Sequence, residues 1–403
     1  MRLFINSLAA SAGGGLTYIR NVLPHLAARP GLDITVALGS GLAAELSGLA
    51  RVDVLEVSVP PARRFVYEHA VLPNVIRQHR ADVLLSTGNF ALRNSPVPQI
   101  LLSRNSLYTS KDFYHDLLWR HEYKAWLDTR LRALIARRSV HWADVTVAPS
   151  EAFADELRRW TGVQVLAIHH GFDHESFVGD VRPLPPDIAG KLHDLEGSLK
   201  LLFVSHYNYY RNFETLLRAL PLLRDGVSGR DVKLLLTCSL HGGKNPGAYR
   251  PERAADLAGK LGVSDMIVEL GTVPYGQLHK LYAQADIYVT AAYAETFAHP
   301  LVEAMASGLP VVASNLAVHQ EICGDAAIYF PRFSAEALAE RVAQIARSAE
   351  MSKQMAARGL DRSREFSWRT HVDRILDLSS ALIDSRALRS PNQPVEEMAS
   401  KRS

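Results

Sequence analysis

The sequence predicts an α/β chain made of two doubly wound, parallel-sheet domains, and three observations predict it. Its 403 residues suffice for two domains at roughly 100–200 residues each, both large enough to bury a core. Short apolar runs of strand length alternate with longer amphipathic segments, the pattern of a parallel sheet covered by helices on both faces. The alternation stops at a proline-rich stretch, Gly179-Asp180-Val181-Arg182-Pro183-Leu184-Pro185-Pro186, and then begins again.

In the first half the strand-length runs are residues 3–5, 33–38, 82–86, 99–102 and 145–148; in the second they are 200–204, 232–236, 266–270, 287–290 and 310–313. The division that follows is a first domain over 1–178, a linker over 179–198 and a second domain over 199–368. A final helix spans 369–385. The polar end, 386–403, has two prolines and no apolar stripe, the composition of a disordered tail.

Composition excludes several classes. With 45 Lys and Arg against 42 Asp and Glu, the net charge of +3 gives no field able to hold a nucleic acid. Two cysteines, Cys238 and Cys323, make no disulfide framework and have no zinc-ligand partners nearby, which fits a reducing cytosol. Met1-Arg2-Leu3-Phe4-Ile5 resembles a signal sequence, but Asn6-Ser7 interrupts it after a few residues, so a first strand is the better reading. No apolar stretch approaches the ~18 residues a membrane span requires. The chain is expected in the cytoplasm, either free or in peripheral contact with the inner face of the membrane.

In open α/β sheets ligands bind at the carboxyl ends of the strands, so the strand-to-helix turns carry the chemistry. The first is Ser11-Ala12-Gly13-Gly14-Gly15-Leu16-Thr17. Three glycines let the backbone approach a ligand and aim amides at an anion; neither a Walker loop nor the dinucleotide fingerprint matches. A ligand-free tight turn explains the same residues equally well. The second turn, Ser205-His206-Tyr207-Asn208-Tyr209-Tyr210-Arg211-Asn212, precedes an apolar helix. A cation ahead of a helix N-terminus opposes the helix dipole unless an anion lies between them, which makes Arg211 a candidate phosphate ligand; an exposed arginine with packing tyrosines is the alternative. The third turn runs from Ala294 through Glu295-Thr296-Phe297-Ala298-His299-Pro300-Leu301-Val302-Glu303 to Gly308-Leu309-Pro310. Pro300 suits a helix start and Gly308 its C-terminal cap. Glu295 then lies on the loop and Glu303 in the first helical turn, both able to face a cleft. Carboxylates accept sugar hydroxyls while backbone amides take phosphate oxygens.

The segment Glu295 to Glu303, with its Glu-x7-Glu spacing running into Glu-Ala-Met-Ala-Ser-Gly-Leu-Pro-Val-Val-Ala-Ser, resembles the signature of the retaining glycosyltransferases of GT-B fold, family 4. Ser205-His206, Arg211-Asn212, Ser150-Glu151, Ile168-His169-His170-Gly171-Phe172-Asp173 and Phe366-Ser367-Trp368 stand where that family has its other landmarks. The resemblance covers about residues 1–385. It implies two Rossmann-like domains facing across a cleft, with the final helix crossing back to the first. It also implies transfer of a hexose from a GDP- or UDP-linked donor to a saccharide or lipid-linked acceptor, such as a growing bacterial surface polysaccharide.

Residue by residue, the resemblance implies that Glu303 accepts the ribose hydroxyls, that Glu295 holds the transferred sugar and stabilises charge near its anomeric carbon, and that Arg211 neutralises the diphosphate. The amides of Phe297, Ala298 and His299 and of Gly13, Gly14 and Gly15 would assist. The chain has no Asp-x-Asp, so metal-independent departure is expected, with no cofactor.

Three departures from the family pattern stand out. Thr296 and Ala298 replace its usual glycines, His206 its usual arginine, and Arg104, beside Asn105, its first-domain histidine. Arg104 and Asn105 are acceptor-side candidates, or simply a surface strand end. These departures motivate an alternative, a catalytically impaired nucleotide-sugar-binding regulator or partner subunit. A dehydrogenase or epimerase is disfavoured because no fingerprint glycines are followed by a ribose carboxylate.

Residues 111–138 carry seven Lys and Arg against four Asp and Glu, interleaved with leucines and aromatics. The segment could rest on anionic lipid, but the more economical reading makes the apolar stripe core and the arginines a solvated face. The sixteen histidines show no ligand spacing with a third partner and read as scattered surface or hydrogen-bonding residues.

Overall fold

A computed structural model describes residues 1–10, 13–243 and 249–389. Two parallel sheets dominate it. The first contains β1 (Arg2–Asn6), β2 (Asp33–Leu38), β3 (Val52–Glu56), β4 (Val83–Ser86), β5 (Gln99–Leu102), β6 (Val145–Ala148) and β7 (Val165–Ala167), in the order β3-β2-β1-β4-β5-β6-β7. The second contains β8 (Leu199–Phe203), β9 (Val232–Leu236), β10 (Ile267–Glu269), β11 (Ile287–Thr290), β12 (Val311–Ser314) and β13 (Ala327–Phe330), in the order β10-β9-β8-β11-β12-β13. The central strands are continuous Leu, Ile and Val runs because both faces are covered; β4, β5, β11 and β12 are buried throughout.

Three strands escape the sequence pattern. β3 alternates between half-buried and exposed positions, β7 has three residues, and β13 mixes buried with half-buried positions. All are edge or near-edge strands, where apolar continuity is not required.

Strand order reverses between β1 and β4 in the first sheet and between β8 and β11 in the second. At such a switch point the two neighbouring strand-to-helix connections leave toward opposite faces and open a crevice at the carboxyl ends. Here those connections lead to Gly13 and Thr87 in one domain, and to Arg211 and Glu295 in the other.

The expected linker is partly structured. Within 179–198 a helix, Pro186–His193, buries Ile188 and Leu192 in the core of the second domain. The last helix runs over Trp368–Arg389, longer than expected at both ends, so residues 386–389 of the expected tail are helical; residues 390–403 lie outside the described residues. Trp368, Val372 and Ile375 join Leu3, Ile5, Ile19 and Leu23 in the first domain's core, so the chain returns to where it began. Gly171 permits that return: a Cβ there would meet the Trp368 backbone nitrogen at 1.9 Å. No helix among the described residues is long and apolar enough to cross a membrane.

Candidate active site

The second-domain crevice is built by two loops. After β8, the chain passes Tyr207 and Tyr209, both buried as packing, and reaches Asn212, whose φ of 55° lies in the left-handed region that asparagine tolerates. Its side-chain amide donates to the carbonyls of Ala291 (3.0 Å) and Arg332 (2.7 Å), tying this turn to the neighbouring loop. Asn212 caps the helix Phe213–Ala219 and leaves Arg211 projecting ahead of it.

After β11, residues Ala291 to Ala294 are buried and lead to Glu295, whose carboxylate accepts hydrogen bonds from the Arg211 guanidinium and from the Thr296 amide (3.2 Å). The Arg211 and Glu295 side chains are only 18% and 10% exposed. The candidate phosphate cation and the candidate sugar carboxylate therefore neutralise each other in the free protein. Separating two charges this enclosed is costly unless another ion replaces the lost partner. The Arg211 Nε is buried with no partner among the described residues.

The helix His299–Ala306 begins at the end of this loop, with Pro300 in its first turn and Gly308 just beyond it at φ 68°. Ala298 caps it at φ 65°, ψ 62°, a left-handed conformation that costs a residue bearing a Cβ about 1 kcal/mol relative to glycine. The family's usual glycine at this position is thus explained by backbone geometry, and the alanine is held there against its preference. The amides of Phe297, Ala298 and His299 lie at the free N-terminal end of this helix, where anions are favoured.

Glu303 sits deeper than expected, in the second helical turn. It is 4% exposed and accepts a hydrogen bond from the Tyr282 hydroxyl at 2.9 Å. Burial pushes its carboxyl up to about 7, against the opposing effect of that hydrogen bond. His206 is exposed; desolvation, then the nearby Arg211 charge, lowers its pKa, and Arg211 is the one permanent cation of this loop.

The first-domain crevice differs. Ser11 and Ala12 lie outside the described residues, and Gly13, Gly14 and Gly15 form the first turn of the helix Gly13–Ala27 rather than a free loop. Arg104, at the end of β5, binds the Gly14 carbonyl through Nη1 (2.7 Å) and the Thr87 carbonyl through Nη2 (2.6 Å), while its own amide donates to Asn89 Oδ1 (2.6 Å). It is thus a tie across three strand ends. Its guanidinium lies 4.8 Å from the Tyr18 ring centre, and burial lowers its pKa to about 10. Asn105 is occupied locally: its side chain caps the turn Ser106–Tyr108 by accepting from the Leu107 amide at 3.1 Å.

Where the domains meet, several of the histidines are hydrogen-bonding ones, gathered in one cluster rather than scattered. His170 Nδ1 lies 3.2 Å from His299 Nε2, with the rings stacked. The Tyr18 hydroxyl is 3.0 Å from His371 Nε2, whose Nδ1 is 2.8 Å from the His169 carbonyl. Trp368 packs against His170, His299 and His371. Burial holds His170 well below its ordinary pKa and takes His299 and His371 to about 4. All three are neutral at pH 7. Close by, Glu321 of the second domain accepts the amides of Glu151 (2.7 Å) and Ala152 (2.6 Å), capping the first-domain helix Glu151–Thr161, and Ser150 Oγ donates to the Thr296 carbonyl (2.8 Å). The sequence landmark Ser150-Glu151 is therefore a joint between the domains.

The opposite end of the domain seam is charged. Arg120, at the end of the helix Lys111–Trp119, donates to Asp116 (2.8 Å) and to Glu214 of the second domain (2.5 Å); the Tyr293 hydroxyl donates to Asp116 at 2.7 Å, and Arg332 pairs with Asp112. Asp112, Asp116, Arg120, Glu214 and Tyr293 line a cavity of about 380 Å³ with Asn212. Sequence reading missed this cluster because its members belong to different domains and form no motif.

Comparison with known proteins agrees with this architecture. The family of group 1 glycosyl transferases matches residues 187–362, and glycosyltransferase family 4 matches residues 12–176. A D-inositol 3-phosphate glycosyltransferase of Saccharomonospora viridis is 26% identical over 259 residues, 62% of this chain and 58% of its own length. The chain spans 26% to 58% of the length of the curated relatives it matches. Among solved structures, sucrose-phosphate synthase from Thermosynechococcus elongatus aligns with a TM-score of 0.73 at 18% identity, over 96% of this chain and 100% of that one. HepE of Anabaena, solved with UDP-glucose, aligns at 0.71 and 17% identity, over 95% and 100%. Two switch-point crevices facing each other, and family matches that together run from residue 12 to residue 362, lead to one conclusion: the chain belongs to the group 1 glycosyl transferases, the family 4-like enzymes of GT-B fold.

Proposed function

We propose that this chain is a retaining, metal-independent glycosyltransferase that moves a hexose from a nucleoside diphosphate-sugar to a saccharide or lipid-linked acceptor. The carrying observation is the Arg211–Glu295 pair at the β8/β11 switch point, beside the open N-terminus of the helix that bears Glu303. A relative crystallised with UDP-glucose supports a donor of this class.

The chemistry follows from charge. Breaking the bond between the anomeric carbon and the diphosphate oxygen leaves negative charge on the leaving group and positive charge on the sugar. Arg211 and the amides of Phe297, Ala298 and His299 stabilise the first, and Glu295 the second. Because these donors are fixed before the reaction begins, little reorganisation is needed as charge develops. Glu303, deeper in the second domain, accepts the ribose hydroxyls. Arg104 shapes the opposite wall by holding the Gly14 and Thr87 carbonyls together.

A thermal-shift screen of GDP- and UDP-linked hexoses tests the donor reading, since a ligand that binds only the folded state stabilises it by mass action. One donor is expected to raise the melting temperature of the native chain, to do so in EDTA as well, and to do so much less for Glu303→Ala. A screen in which no nucleotide-sugar shifts the native chain contradicts the reading.

A further inference from the structure

We propose that the helix Tyr123–Trp142 is a docking surface for an anionic lipid bilayer. It is 20 residues long, about 30 Å at 1.5 Å per residue. Its inner face packs through Ala133, Ala136, Ser139 and Val140. Its outer face does not follow the expectation that the apolar stripe is core: Tyr123 is 61% exposed, Leu127 and Leu131 54% each, and Leu134 57%. At 3.6 residues per turn these four lie within about 80° of one another, a single apolar ridge along the outside of the molecule.

The flanks of the ridge are cationic. Arg130 and Arg137 lie to one side, Lys124 to the other, and Arg138 within it, all exposed. The acidic residue on this outer face, Asp128, is paired with Arg132 at 2.8 Å. A row of large apolar side chains framed by Lys and Arg is complementary to one kind of surface, in which acyl chains accept the ridge while anionic headgroups meet the cations. Arg and Lys side chains are long enough to keep their charge at headgroup level while the leucines sink. The apolar surface continues at both ends. Leu118 and Trp119 are exposed ahead of the helix, and at its far end Trp142 touches His69, which stacks on the exposed Phe65.

Co-sedimentation of the full chain with vesicles tests this without any donor or acceptor, so its outcome is separate from that of the transferase reading. Vesicles of mixed phosphatidylcholine and phosphatidylglycerol should capture the chain, and phosphatidylcholine alone should capture it at least tenfold less. Leu127→Ser combined with Leu131→Ser, and separately Arg137→Glu combined with Arg138→Glu, should each weaken capture by roughly tenfold or more, with native melting behaviour because the altered side chains are exposed. High salt should weaken it too. The proposal is overturned if anionic vesicles do not capture the chain, or capture both double variants equally well. It is also overturned if the native chain self-associates without lipid and the leucine variant does not, because the ridge would then be an interface between copies.

Discussion

The two ends of the domain seam are held by opposite means. At one end Arg120, Asp116, Glu214, Asp112 and Arg332 join the domains through charges; at the other, His170, His299, His371, Tyr18 and Trp368 join them through neutral, buried rings. The active-site loop Glu295–His299 runs between the two. It shares Tyr293 with the charged end, and His299 is itself a member of the neutral one. The lesson is that the candidate active-site loop is positioned by interdomain contacts on both sides. Charge on the two second-domain loops, in contrast, is concentrated in the Arg211–Glu295 pair.

The largest effect is expected where that pair is broken. Arg211→Ala removes the cation we assign to the leaving group and leaves Glu295, only 10% exposed, without its guanidinium partner; turnover should fall about 10²–10³-fold, the scale of losing one preorganised stabilising donor, as measured by release of nucleoside diphosphate under donor saturation.

The neutral end should respond to acid. For a histidine whose folded pKa is depressed, the unfolded chain binds the proton first, so stability is complete above ~6.5 and declines as pH falls toward the folded value. His299 and His371 are both held at about 4, which places the window between pH 6.5 and pH 4. The 1%-exposed His371 alone accounts for about 3 kcal/mol across it. Burial of Glu303, held at about 7, has the opposite sign over the same range, so the test is a difference: in denaturant melts at pH 7, 5.5 and 4.5 the native chain should lose stability relative to His371→Gln as the pH falls. A difference that does not change with pH would show that the His371 ring is not held neutral.

The charged end should respond to truncation. Glu214→Ala leaves Arg120, whose side chain is 4% exposed, with only Asp116 as its carboxylate partner, and should cost about 2 kcal/mol, below the usual loss for a fully unpaired buried charge. The smallest effect is local: Ala298→Gly relieves the left-handed strain and should stabilise by up to about 1 kcal/mol, less what the added freedom of the unfolded chain takes back.

Much of the fold was legible because parallel sheets advertise themselves as apolar runs, and the loop from Glu295 to Glu303 was legible because its chemistry is contiguous. The histidine cluster was not, since His170 and His371 lie 201 positions apart in sequence and meet only because the last helix crosses back. Nor did spacing tell that Glu303 would turn inward to Tyr282. Periodicity marked an apolar stripe on the helix Tyr123–Trp142, but a stripe has no sign. The inner face of that helix is lined by small residues, alanines and a serine, and only the packing shows that its leucines face out.

The central claim is that Glu295 acts on the sugar while Arg211 and Glu303 bind the donor, and one comparison tests it most directly. Calorimetric titration of the native chain and of Glu295→Ala with the donor identified by thermal shift, alongside turnover of the same samples, should give donor affinities within about tenfold of each other and turnover in the native chain alone. Wild-type turnover by Glu295→Ala, or loss of donor binding with no native turnover to lose, would contradict the account.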